Sequence, residues 1–236
     1  MRLDQYLVTQ KVTFSRNKAQ ELIKKGYVQI NEKIIKKPSY IVNENDKIKI
    51  IKKQEYVSRA AYKLKNYLDK YDIDFNKKNV LDIGSSTGGF TQVALEYGAK
   101  EVVSVDVGSN QLHSTLRNNP KIKLFENTDI RDFFYNELFD VIVSDVSFIS
   151  LLKIIKKIDE LSKRDIILLF KPQFEVGKDV KRDKKGVVID NEAIKKAKSN
   201  FEKECEKLGW KLLRSEESSI KGKEGNTEFI YHFIKV

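Results

Sequence analysis

The stretch Val80-Leu-Asp-Ile-Gly-Ser-Ser-Thr-Gly-Gly-Phe90 decides how this chain is read. An apolar run with Asp82 embedded breaks at Gly84 into a loop of small residues, then enters a helical pattern at Phe90. That order is a strand, a turn and a helix start. A second apolar run, Glu101-Val-Val-Ser-Val-Asp106, follows and ends in an acid. Glycines let a backbone approach a ligand closely, and a carboxylate after the next strand accepts hydrogen bonds from ribose hydroxyls. The candidate pocket for a nucleoside-containing cofactor therefore comprises Asp82, Gly84, Ser85, Ser86, Thr87, Gly88, Gly89 and Phe90, with Asp106 and Val107.

Phosphate-bearing cofactors fit these residues poorly. Gly84-x-x-x-Gly88-Gly89 lacks the spacing of dinucleotide loops, and no Gly-Lys-Ser/Thr follows to bind a triphosphate. Asp82 inside the strand would also repel a pyrophosphate. A cofactor with a positive centre and no phosphate suits them better, and S-adenosylmethionine is such a molecule. The alternative is a glycine-rich turn in any doubly wound domain.

Working outward, strands are expected at 79–83, 101–106, 122–126, 139–144 and 165–170, with helices at 90–97, 110–118 and 150–161. A helix starting at Ser58 runs to about Tyr71 ahead of them, and a long one at 191–208 leads to final strands 210–216 and 228–235. The alternation predicts an α/β fold: a Rossmann-like parallel sheet with helices on both faces. Ligands bind such sheets at the strand-end edge. Two strand ends there carry charge, Asp145 after Phe139-Asp-Val-Ile-Val-Ser and Lys171 after Ile166-Ile-Leu-Leu-Phe. Lys63 and Glu228 are placed to converge on the same edge. Asp129, with Ile130, is a candidate for the adenine amino group or, equally, a helix N-cap.

Charge divides the chain. The net is +11 over 236 residues, and residues 1–53 hold thirteen Lys/Arg against five Asp/Glu. The other 183 residues carry only +3. A concentrated basic segment points to a phosphate-backbone partner. Two amphipathic helices are expected there, the second capped by Ser15 and stopped by Gly26, then short strands at 27–30 and 46–51. Arg2, Arg16, Lys18, Lys24 and Lys25, with Arg59 further on, are the candidate RNA contacts. The expected organisation is an RNA-binding domain at 1–53, a linker at 54–57 and a catalytic domain at 58–236.

No apolar run approaches the roughly 20 residues that span a bilayer, and Met1–Tyr6 begins no signal peptide, so a cytoplasmic protein without membrane association is expected. One cysteine and two histidines argue against a disulfide framework or a zinc site. A monomer is the default expectation.

Arg2-Leu-Asp-x-x-Leu7, Ser15-Arg-x-x-Ala19 and Ile23-x-x-Gly26-x-Val-x-Ile-Asn31 resemble the small RNA-binding domain first described in a ribosomal small-subunit protein. Ser58-Arg-Ala-Ala-Tyr-Lys63-Leu, Val143-Ser-Asp145-Val-Ser-Phe-Ile, Lys171-Pro-Gln-Phe-Glu-Val-Gly177 and Gly225-Asn-Thr-Glu228-Phe resemble the TlyA group of rRNA methyltransferases. Their catalytic domain is similar to the FtsJ-like ribose 2′-O-methyltransferases. The resemblance implies a Lys-Asp-Lys-Glu tetrad of Lys63, Asp145, Lys171 and Glu228, S-adenosylmethionine as cofactor, and a cytidine of rRNA in ribosomal subunits as substrate. Lys171 would be the base, with Lys63 lowering its pKa, and Asp145 would also approach the methionine part of the cofactor. Two departures stand out. Ala60-Ala61 replaces a glycine pair common in TlyA proteins, and Gln54-Glu-Tyr-Val57 matches the Arg-x-Trp-Val linker of mycobacterial relatives only weakly. Competing readings are a base methyltransferase, disfavoured by Ser144-Asp-Val-Ser-Phe148, a catalytically inert RNA-binding factor, and a membrane-active hemolysin.

Overall fold

A computed structural model describes residues 1–10, 12–13, 15–51 and 56–236, divided between two compact units, Met1–Glu55 and Tyr56–Val236. Of the expected linker, Gln54 and Glu55 lie outside the described residues.

The first unit packs α1 (Leu3–Thr9) and α2 (Arg16–Lys24) with strands β1 (Val28–Ile30), β2 (Lys33–Ile34) and β3 (Ile48–Ile50), in sheet order β2-β1-β3. Ser15 caps α2 by accepting from the Lys18 N–H, as its residue type predicts. Leu3, Leu7, Ala19, Ile23, Val28 and Ile30 form the core. Strand β2 lies outside the strands expected at 27–30 and 46–51. Asn31 and Glu32 both adopt positive φ and close a tight hairpin onto it.

The second unit runs α3 (Ala60–Lys70), β4 (Asn79–Ile83), α4 (Gly89–Glu96), β5 (Glu101–Val105), α5 (Ser114–Arg117), β6 (Ile122–Phe125) and β7 (Phe139–Ser144). A short 3-10 turn (Leu151–Lys153) then precedes α6 (Ile155–Leu161), β8 (Ser162–Phe170), α7 (Pro172–Glu175), α8 (Asn191–Lys207), β9 (Trp210–Glu217) and β10 (Phe229–Lys235). The seven strands order as β6-β5-β4-β7-β8-β10-β9, and β10 alone runs against its neighbours.

Successive strand residues face opposite sides, so the sheet buries two apolar layers. Val80 packs with Leu64, Phe90 and Val93 under α3 and α4. Its neighbour Leu81 packs with Ile155, Ile158 and Phe201 under α6 and α8. Because β10 is reversed, its first residue pairs with the last of β8, Phe229 with Phe170. Glu228 and Lys171 are thereby brought to one edge.

Three expected elements differ. The helix at 110–118 contracts to α5, because Asn110 takes positive φ and His113 caps the first turn. The helix at 150–161 divides at Ile154, where Ser150 caps a 3-10 turn. Strand β8 starts three residues early, since α6 passes straight into it at Ser162.

Candidate active site

The glycine loop joins β4 to α4. Gly84 sits at φ +77°, and a Cβ there would come within 3.2 Å of the Val146 backbone. Only glycine lets β4 end this close to the segment after β7. Asp106 fixes the loop from the next strand: its two oxygens accept the N–H groups of Ser86 and Gly108, both at 2.7 Å. A carboxylate has about four acceptor positions, so Asp106 retains capacity for hydroxyls in the cavity it lines.

That cavity measures about 480 Å³. Gly84, Ser86, Asp106, Val107, Asp129, Ile130 and Asp145, all candidates for the cofactor pocket, lie on its wall together with Phe148. Three carboxylates and, among the described residues, no lysine or arginine line it. Such a wall repels phosphate and accommodates a cation, so the residues fit a sulfonium cofactor. Asp129 is held by the Arg131 guanidinium and N–H, which keeps its carboxyl below the usual range. Ser85, Thr87, Gly89 and Phe90 line a smaller adjoining cavity of about 170 Å³ that reaches Lys171.

Two expected contacts are placed differently. Asp82 is fully buried beneath the loop and lines neither cavity; its Oδ2 accepts from Thr91 Oγ1 at 2.6 Å, which in turn meets Ser104 Oγ. Burial, with the Asp145 and Asp106 charges, pushes its carboxyl up to about 7 against the Thr91 hydrogen bonds. Gly88 faces Leu112 and Leu116, either of which a Cβ would strike, so it shapes the helix start.

Lys63, Asp145, Lys171 and Glu228 form one buried cluster. Lys63 Nζ, from α3, lies 2.7 Å from Glu228 Oε2 and 3.6 Å from Asp145 Oδ2. Lys171 Nζ lies 2.5 Å from Asp145 Oδ1 and donates to Ser147 Oγ at 2.8 Å. Asp145 thus bridges the two ammonium groups. Lys63, Lys171 and Glu228 are 8%, 6% and 3% exposed. Burying charged groups costs desolvation that their mutual attraction offsets only in part, which makes the cluster a candidate functional site rather than a source of stability.

Ser147 and Gly222 were missed by sequence reasoning. A Cβ on Gly222 would approach Glu228 Oε1 to 2.7 Å, so this glycine lets its loop cover the carboxylate. Ser147 stood within the quoted Val143–Ile149 motif, but only the fold shows that it faces Lys171. Gly222 gave no signal in sequence.

In the first unit a fully buried Asp4 holds Arg2, Arg16 and Gln20 through its two oxygens at 2.9–3.0 Å. The Arg2 contact above all keeps the Asp4 carboxyl well below its usual range. Two of the expected RNA contacts are therefore pre-positioned forks rather than loose side chains. Lys18 and Lys25 both pair with Glu21 at 2.8 Å, Lys24 is exposed, and Arg59 is exposed just ahead of α3 in the second unit.

The sheet order, the acidic cavity and the buried Lys-Asp-Lys-Glu cluster define a Rossmann-like methyltransferase. Comparison with known proteins agrees. The FtsJ-like methyltransferase family matches residues 56–235 and the S4 domain matches residues 1–48. The chain belongs to the FtsJ-like methyltransferase family, and within it to the TlyA group. It is 51% identical to the 23S rRNA (cytidine-2′-O)-methyltransferase TlyA of Campylobacter jejuni, covering all of both chains. The 16S/23S rRNA (cytidine-2′-O)-methyltransferase TlyA of Mycobacterium tuberculosis is 36% identical, over 97% of this chain and 87% of that one. A solved structure from Streptococcus thermophilus, described as a hemolysin, aligns with TM-score 0.73 and 30% identity, over 100% of this chain and 88% of that one.

Proposed function

We propose that this enzyme transfers the methyl group of S-adenosylmethionine to the ribose 2′-hydroxyl of a cytidine in rRNA, on ribosomal subunits, acting as a cytoplasmic monomer. The bridged Lys171–Asp145–Lys63–Glu228 cluster beside an acidic cavity is the observation that carries the reading. Asp106 would hold the cofactor ribose, and Asp129 with Ile130 the adenine. The loop from Gly84 to Ser86, with Asp145, would hold the methionine part. When bound, S-adenosylmethionine supplies an electrophilic methyl group.

The chain's own residues supply position and proton acceptance. A 2′-hydroxyl is a weak acid and needs a base at short range. Lys171, reacting as the free amine after its own ammonium proton has passed to solvent, takes the hydroxyl proton at Nζ, which Asp145 and Ser147 hold in one place. Lys63, fixed by Glu228, presents a positive charge to the developing oxyanion or the neighbouring phosphate. A ribose acceptor is favoured over a base because Ser144-Asp145-Val146-Ser147-Phe148 ends β7 with a carboxylate engaged by two lysines.

Lys171→Ala is expected to lower methyl transfer by at least about 10²-fold while leaving S-adenosylmethionine affinity within about threefold. Full turnover in that variant would contradict the assignment.

A further inference from the structure

The cluster around Lys171 uses the α3 side of β10, but the other side carries a cavity of about 510 Å³ with no part in it. Glu228 points to Lys63, and the next residue, Phe229, turns towards α8. Pro172, directly after Lys171, forms part of the floor with Val188, Ile194 and Phe229. Lys195, Lys198 and Lys221 stand on the walls. Lys195 is tied to Glu192, but Lys198, half-buried, forms no ion pair among the described residues; its Nζ lies 4.0 Å over the Phe229 ring.

The surroundings are basic and held in place. Lys178, Lys181, Lys184 and Lys185 are exposed on the segment after α7. Arg182 pins that segment by donating to the carbonyls of Gln173, Gly177, Lys178 and Val180. Four such lysines on a loop would usually be a solvated face. The cavity beside that segment is of ligand size, apolar below, with Lys195, Lys198 and Lys221 on walls that also carry Glu192 and Glu217, and it begins one residue from the proposed base.

A nucleotide whose 2′-hydroxyl meets Lys171 carries phosphodiesters on both sides, so its neighbour must lie against adjacent protein. We propose that this cavity is the subsite for that neighbouring nucleotide. Lys198 and Lys221 take its phosphate, and the apolar floor takes its base or sugar. Glu217 on the wall offers an acceptor for a base amino group. The assignment deepens the ribose-methylation reading and rests on it.

The test uses the full chain with Lys198→Met and Lys221→Met combined, and Lys100→Met as a control at the opposite edge of the sheet. Binding to ribosomal subunits from cells lacking the protein is measured across a salt series, with S-adenosylmethionine affinity measured in parallel. The double variant is expected to bind about tenfold more weakly, with the salt slope reduced by between about one and two. The control should match the wild type. Unchanged affinity and slope in the double variant would overturn the subsite. Should it lose S-adenosylmethionine binding through misfolding, Lys221→Met alone carries the test, with a slope reduction of about 0.7 expected and no reduction overturning it. If the wild-type protein leaves ribose unmethylated, the functional reading fails, whereas the salt comparison still decides the subsite.

Discussion

Asp82 holds, beneath the glycine loop, a proton that the same residue in an unfolded chain releases. Its carboxyl is raised from the ordinary 3.8 to about 7, chiefly by complete burial. Between about pH 4 and pH 7 the folded protein therefore binds more protons than the unfolded one. Stability falls as pH rises through that window, and the loss is complete above it. Its size is bounded at about 4 kcal/mol from the pKa difference. Asp82→Asn is expected to flatten this dependence, so that denaturant midpoints of wild type and variant diverge between pH 5 and pH 8. Parallel profiles would contradict it. Residues of this kind also show what one sequence conceals. Asp145 and Lys171 were legible because each interrupts the end of an apolar run. Asp82 was legible as unusual but not as buried, and the partners of Asp4 and Ser147 come from elements that only the fold brings near.

At the scale of elements, the sheet was written in apolar runs of five to nine residues punctuated by glycine and acid, and β4, β5, β7 and β10 fall where those runs do. What was not legible depends on capping and on long-range contact. Residues 110–113 look helical in pattern, yet Gln111 is drawn into a loop by Glu126 and Ser86. The loop before β10 looks merely polar, yet Gly222 packs on Glu228. A methyl group there would push the carboxylate away from Lys63. Gly222→Ala is expected to lower kcat by about tenfold with little change in S-adenosylmethionine affinity, as expected for a small misplacement of a positioned group. Single-turnover kinetics would check this, and an unchanged rate would show that Glu228 tolerates the shift.

Over the whole molecule, the first 53 residues are basic and the remainder nearly balanced, and the proposed function gives the grip on RNA to the first and methyl transfer to the second. The charge asymmetry was plain in the sequence, whereas the fixing of Arg2 and Arg16 by Asp4 was not. Removing residues 1–53 is expected to weaken binding to ribosomal subunits and reduce its salt dependence, with cofactor affinity retained. An unchanged salt slope would mean that the RNA grip lies in the second unit alone. The central claim, that Lys171 and its partners methylate a ribose of rRNA, is tested most directly by mapping 2′-O-methylation across rRNA. The cells compared would carry the wild-type protein, no protein, or Lys171→Ala. A cytidine 2′-O-methyl group is expected only with the wild type. Its persistence with Lys171→Ala, or its replacement by a methyl group on a base, would contradict it.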